Sequence, residues 1–345
     1  MGRRADNGAS SRAFRYARGV RLSGTNIAAD AASGELVFLS HAQALGALGR
    51  RSPLRRAGRQ ELLVTEPTLG LLGSVGARLR KHALPAPFGR PFVLGDVRVE
   101  LFSAGHLPGS ASLLVERAAR RVVYAGTVCT GRPGFGATPA ELRPADAICV
   151  DATFGVPRYV FPPVEEALAA ALTFVRETRA AGAAPVLLAP PFGTALELAR
   201  ALAAAGHGLR GHRAVMEAAA AFRAAGGGPP SITRFAGALG PTEVLLWPPE
   251  ARDAALLERL PAARFAYVSG FSLLPEALGR MRADAGIALS NQADFPQLLA
   301  YIEASGAREV AVHRGHADEL AAHLRGLGLD AYTLGPPRQM ELFRG

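Results

Sequence analysis

The stretch that decides the reading is Glu35 to Arg51, "ELVFLSHAQALGALGRR". An apolar run, Leu36 to Leu39, ends at Ser40 and His41, as a buried strand does when it delivers a ligand to a metal-binding loop. The residues that should follow as further ligands are absent. The stretch therefore has the form of a catalytic loop without its chemistry, and the question is whether the rest of the chain agrees.

Working outward, residues 20 to 154 are mostly short β-like runs such as "ELLVTEP", "VRVELFSAG" and "AICVDATF", separated by Gly, Pro and Arg. "SLLVERAARRVVYAG" has the form of a hairpin. After Pro162-Pro163 the texture changes, with Val164, Leu168, Leu172 and Val175 at helical spacing. A strand "PVLLAP", a helix from Thr194 and another from His212 to "AGGG" follow, which predicts an α/β unit with a parallel sheet. Strands "EVLLWPP", "ARFAYVSG", "IALS" and "EVAVHRG" then alternate with helices over 295–305 and 317–326, and Gly226–Pro230 reads as a loop. There is no internal repeat.

Composition limits the function classes. The 345 residues are 49% hydrophobic, enough for a large core, and the formal charge is +10 with Lys81 as the single lysine. Arginine suits phosphate recognition because its planar fork matches two oxygens at once. Cys129 and Cys149 have no CxxC spacing and read as buried, reduced, small apolar residues, which excludes a zinc ribbon. The basic N-terminus has no apolar signal region, and no apolar run approaches the about 20 residues of a membrane span. A cytoplasmic protein with no membrane partner is expected.

Seven segments together resemble one family: "FLSHA" (38–42), "FSAGHLPGSASLLVE" (102–116), "VVYAGT" (122–127), "VDATFG" (150–155), "PPFGTALELARAL" (190–202), "LSNQADFPQLLAYIE" (289–303) and "VAVHRGHADELAAHLRGLGLDAYTL" (310–334). In this order they resemble metallo-β-lactamase-fold nucleases with an inserted β-CASP domain, including RNA 3′-end processing factors and ligase-associated exonucleases. The resemblance implies an α/β architecture: an αββα metallo-β-lactamase sandwich over residues 20–157 and 286–345, a β-CASP domain over 158–285, and a flexible basic tail over 1–19.

It also implies a two-zinc site that activates a bridging water and clamps a phosphodiester, so the ligands carry over one at a time. His41 opens the H-x-H-x-D-H signature, but Gln43, Leu45 and Gly46 hold the next three ligand positions; a gapped reading that joins His41 to "LGAL" (45–48) loses the same ligands. His106 keeps the AGH motif. Thr127 replaces the bridging aspartate, and Gln292 replaces the histidine that resembles the proton donor, where an amide cannot act as general acid. Asp151 and His313 match the supporting acid and the last ligand, and Asp30 matches a structural aspartate more loosely. Gly193 and Thr194 resemble a phosphate-binding turn, although Thr194 reads equally as an N-cap. Gly105 and Gly109 read as turn residues, and His316 and His323 as residues of a surface helix.

The resemblance thus implies a nuclease-like pseudoenzyme with vestigial His41, His106, His313, Asp151 and Gln292. No cofactor is expected, with at most one weakly bound metal where the family holds zinc. RNA or single-stranded DNA is the expected partner, alongside an active paralogue or a second copy. A hydrolase using one metal held by His41, His106 and His313, and an assembly subunit without nucleic acid, are the alternatives.

Overall fold

The computed structural model describes residues 12–47, 61–260 and 262–336. Strands β1 (Phe14–Tyr16), β2 (Val20–Leu22), β3 (Ile27–Ala29), β4 (Leu36–Phe38), β5 (Glu61–Val64) and β6 (Ala83–Pro85) form a first sheet in that order. Its early strands pair antiparallel, and β3 to β6 run parallel. Helices α1 (Ala42–Ala47), α2 (Glu66–Leu71) and α3 (Ser74–Leu79) connect them. The stretch expected as a tail to residue 19 is corrected where it is described: Phe14 is 1% exposed, because its ring completes the core and β1 pairs with β2. Residues 1–11 of that expected tail lie outside the described residues.

The chain then builds β7 (Phe92–Leu94), β8 (Val97–Ser103), β9 (Ala111–Arg117), β10 (Arg120–Gly126) and β11 (Ala147–Asp151). The expected hairpin is present as β9 and β10. An excursion follows: α4 (Val164–Ala180), β12 (Ala184–Leu188), α5 (Thr194–Ala204), β13 (Gly208–Gly211), α6 (Arg213–Ala224), β14 (Thr233–Arg234), β15 (Glu243–Trp247), β16 (Ala263–Val268), α7 (Pro275–Met281) and β17 (Ala285–Ile287). All its strands run parallel, in the order β14-β13-β15-β12-β16-β17. The chain returns through α8 (Phe295–Ser305), β18 (Glu309–His313), α9 (Ala317–Gly326) and β19 (Asp330–Leu334). The second sheet then has the order β19-β18-β11-β10-β9-β8-β7.

Side chains alternate along a strand, so a strand buried on both faces feeds two cores. In β5, Leu63 joins Phe38, Val99, Leu113 and Tyr124 between the first and second sheets, whereas Leu62 and Val64 face Leu45, Leu69 and Leu79 on the outer side. In β18, Ala311 points into the inter-sheet core, while Val310 and Val312 meet Leu298, Ile302, Leu320 and Leu324 of α8 and α9. The result is two facing sheets with helices on both outer sides, a mixed α/β arrangement. The third sheet is covered likewise, with Leu187 and Leu246 under α4, α5 and α6 and with Val186, Leu188 and Trp247 facing the α7 side.

Helix α8 is fixed at both ends. Asp294 Oδ1 accepts from the Gln297 amide at 3.0 Å, the Gln297 side chain returns to the Asp294 amide, and Gly306 closes the helix in a left-handed conformation. Asp294 Oδ2 also accepts from the Phe161 amide at 2.8 Å, anchoring the segment that leads into the excursion. Among the described residues no helix is long and apolar enough to cross a membrane.

Candidate functional site

Parallel pairing decides where the motif residues meet. β10, β11 and β18 run parallel and end at Gly126, Asp151 and His313, so Thr127, Asp151 and His313 collect at one edge, the carboxyl ends of the strands. Asp151 and His313 are register partners. β3 and β4 also run parallel, which puts Asp30 beside Ser40 and His41.

His41 and His106 meet edge to face, with ring centroids 4.9 Å apart, and both are buried. Ser40 Oγ lies 2.5 Å from Asp30 Oδ2 and 2.8 Å from His41 Nδ1. Ser40 Oγ donates its proton in a hydrogen bond to Asp30 Oδ2, so the hydroxyl oxygen accepts from His41 Nδ1–H. Tyr124 donates to the same Asp30 oxygen at 2.9 Å. Asp30 is thus linked to His41 through the Ser40 hydroxyl.

His106 sits in the turn after β8. Gly105 at φ 76° makes that turn possible, since a Cβ there would meet the Cys129 carbonyl oxygen at 2.3 Å. The Nδ1 of His106 lies 2.8 Å from the Asn291 carbonyl oxygen, which can only accept, so Nδ1 carries the proton. The Gln43 side-chain amide, with Oε1 placed 3.1 Å away, faces His106 Nε2. A neutral ring offers Nε2 as a lone pair, and a half-turn of the amide presents its NH2 to it. Burial lowers the His106 pKa to about 4, against the opposing pull of the Asn291 carbonyl, so the ring is neutral at neutral pH. Burial, then His106 and Arg314, push His41 well below its ordinary value, and burial lowers His313 too.

Thr127 Oγ1 donates to Asp151 Oδ2 at 3.1 Å, while Thr153 supplies its amide and hydroxyl to Asp151 Oδ1 at 2.9 and 2.6 Å. Arg314 reaches Asp151 Oδ2 at 3.5 Å. His313 packs 5.7 Å from the Tyr124 ring, and its buried Nε2 has no hydrogen-bond partner among the described residues. Gln292 lies half-buried in the loop before α8. Leu45 points into the core beside Leu69 and Leu79, and Gly46 is exposed with open space around it, so neither faces this edge.

At the start of α5 the N-cap is Gly193, at φ 79°, and Thr194 is the first helical residue rather than the cap. A Cβ on Gly193 would lie 2.3 Å from Asn291 Nδ2, so only glycine lets the third sheet's unit approach the His106 loop this closely. The space beside Thr194 is ≈ 20 Å³, about one water. Glu197, in the first turn and paired with Arg132 at 2.9 Å, already sets a carboxylate against the helix N-terminus.

Among the described residues no group of three or more His, Cys, Asp or Glu side chains is arranged to hold a metal ion. The two-zinc site implied by the resemblance does not fit the side chains present: His106 Nε2 faces an amide, Thr127 cannot bridge two cations, and Leu45 is in the core. Sequence reasoning missed Asn291, Ser40, Tyr124 and Arg314; the neighbours of the histidines in "LSH" and "VHR" were the available signals for Ser40 and Arg314.

No protein-family model matches the chain. It is 32% identical over 289 residues to a protein of Opitutus terrae named "Probable DNA ligase", a match that covers 83% of this chain and 28% of that relative. It is 28% identical over 195 residues to an uncharacterized protein of Synechocystis, covering 51% of this chain and 33% of the other. The chain thus spans about a third or less of the length of the curated relatives it matches. The expectation that no cofactor is required is corrected by the first match, because DNA joining is a chemistry that consumes ATP or NAD+ together with a metal.

Proposed function

We propose that the chain is a nucleic-acid-binding homologue of β-CASP metallo-β-lactamase nucleases that holds single strands without cutting them, beside a strand-joining activity. In this reading the sandwich is built by the described residues up to 157 and from 288 to 336, and the inserted unit by 158–287. The observation that carries this reading is the engagement of both nitrogens of His106 by protein groups, Asn291 on one side and Gln43 on the other. A site organised in this way lacks the pairing of a nucleophile with a proton donor that phosphodiester hydrolysis needs, and Gln292 stands where the donor would be. The match to a probable DNA ligase supports nucleic acid as the substrate class, and the +10 charge supports an anionic partner.

The test is binding and cleavage measured on the same single-stranded DNA and RNA oligonucleotides, with magnesium, manganese or zinc and with ATP or NAD+ each supplied. Binding should weaken with salt by a log–log slope of about −0.7 per phosphate contacted, with slight sequence preference. The oligonucleotides should stay intact. Cleavage that disappears in His106→Ala would overturn the non-cutting reading, and absence of binding at low salt would overturn the nucleic-acid reading.

A further inference from the structure

A cavity of ≈ 460 Å³ opens at the same edge, between β1–β3 of one sheet and β18–β19 of the other, and His106 is not among the residues that line it. Tyr16, Arg18, Asp30, Tyr124, His313 and Arg314 line it together with apolar surface around Leu334. Its volume lies in the range of small-molecule sites.

The backbone around it is the first sign that it is built for something. Six described non-glycine residues have a positive φ, and three of them line this cavity: Arg18 at 56°, Asp30 at 44° and Arg314 at 62°. Such a conformation costs about 1–2 kcal/mol per L-residue and persists where the surroundings enforce it. Asp30 is held by Ser40 and Tyr124. The carbonyl of Arg18 is pinned by the Ala32 amide at 3.0 Å, and Gly315 follows Arg314 so closely against Ala152 and Thr153 that a Cβ there would lie 2.4 Å from backbone atoms. Two arginines are thus kept in a conformation that glycine would adopt more easily.

The second sign is unused hydrogen-bonding capacity. The Arg18 guanidinium makes no hydrogen bond or ion pair among the described residues, and Arg314 meets Asp151 only at 3.5 Å, while that carboxylate is already served by Thr127 and Thr153. His313 is 6% exposed, and its Nε2 is unpartnered. Two forked cations suit an oxyanion with several acceptor oxygens, and a phosphate group fits that description. A phosphate alone would fill little of ≈ 460 Å³. The remainder is walled by the Tyr16 ring and the apolar surface at Leu334, which suit a flat ring system.

We propose that this cavity binds one phosphorylated nucleoside, with its phosphate between Arg18 and Arg314 and its base against Tyr16. The choice of a nucleoside as the apolar part rests on the nucleic-acid reading above; the anion site does not. Such a group is either the end of a nucleic-acid strand or a free nucleotide.

The experiment titrates the full chain with adenosine monophosphate, adenosine, and hexathymidylate carrying a 5′-phosphate, a 3′-phosphate or neither. The variants are Arg18→Gly and Arg314→Gly, because glycine accepts the positive φ and the fold should hold, with thermal midpoints within a few degrees of the parent. Arg282→Gly is the control, since Arg282 has a φ of 45° far from the cavity beside Asp253. Each cavity variant should weaken binding of the phosphorylated ligand at least tenfold, with Arg282→Gly unchanged and adenosine unbound. A phosphorylated hexamer at least tenfold tighter than the mononucleotide identifies a strand end, and the reverse order identifies a free nucleotide. Binding of phosphorylated ligands that is absent, or unaffected by both cavity variants, overturns the proposal. If plain hexathymidylate still binds in that case, the single-strand reading survives; if no oligonucleotide binds, both fall.

Discussion

Gln43 and His106, 63 positions apart in the chain, meet at 3.1 Å, so that an amide faces the imidazole nitrogen left free by the Asn291 carbonyl. This contact joins α1 to the loop after β8, and Asn291 in turn joins that loop to the start of α5. An amide in this place gives a neutral buried ring a complete set of partners. A charged ligand or a cation would have to displace it.

Replacing Gln43 by Leu should therefore cost stability although the volume is nearly kept. The buried His106 Nε2 would lose its partner, a loss of about 1–3 kcal/mol. Urea unfolding of Gln43→Leu against the parent measures it. An unchanged midpoint would mean that the amide contributes nothing to the site.

Acid should destabilise the fold through the same ring. Burial lowers the folded pKa of His106 to about 4, against an ordinary value of 6.5, so the unfolded chain binds more protons between those values. Stability should be flat above about pH 6.5 and fall as the pH drops toward 4, with a loss of about 2 kcal/mol at pH 5 from this residue alone. His41 and His313 are shifted in the same direction and add to the slope. Denaturant curves at pH 7.5 and 5.0 decide it: equal stability would contradict the burial argument.

Thr127→Asp restores one residue of the family pattern and should yield no nuclease. The new carboxylate would face Asp151, whose Oδ2 now accepts from Thr127 at 3.1 Å, and like charges there should cost about 1–3 kcal/mol. Residues that act as a unit are not restored one at a time. Metal-dependent cleavage by this single variant would show the site to be nearer complete than the geometry indicates.

Asp294→Ala should be among the more damaging substitutions outside the core, because it removes both the α8 cap and the anchor for the Phe161 amide. A loss of about 2–3 kcal/mol is expected, and Asp294→Asn, which keeps one acceptor oxygen but turns an NH2 toward the other backbone amide, should lose an intermediate amount, about 1–2 kcal/mol. Thermal unfolding of the pair checks the order.

The strands around His41 and Asp151, the hairpin of β9 and β10, and the helices from 164, over 295–305 and over 317–326 were legible because short apolar runs broken by Gly and Pro, and helical spacing, are written within a few residues. The same local reading identified which motif positions hold Gln43, Leu45, Gly46, Thr127 and Gln292. It misjudged residues 12–19 as part of a tail, since the burial of Phe14 depends on a core assembled from both sheets. It also favoured no cofactor, which the similarity to a probable DNA ligase overturned.

By itself, then, the sequence determined the order and type of the longer elements and the identities of the motif residues, because backbone preference and side-chain period act over short range, while β1 and the short helices α1, α2, α3 and α7 escaped it. Only the tertiary structure decided that Gln43 and Asn291 would take both nitrogens of His106, and that Arg18, 296 positions before Arg314, would share a cavity with it. Those contacts depend on parallel sheet register and on how two sheets and a third unit pack. No stretch of a dozen residues contains that information.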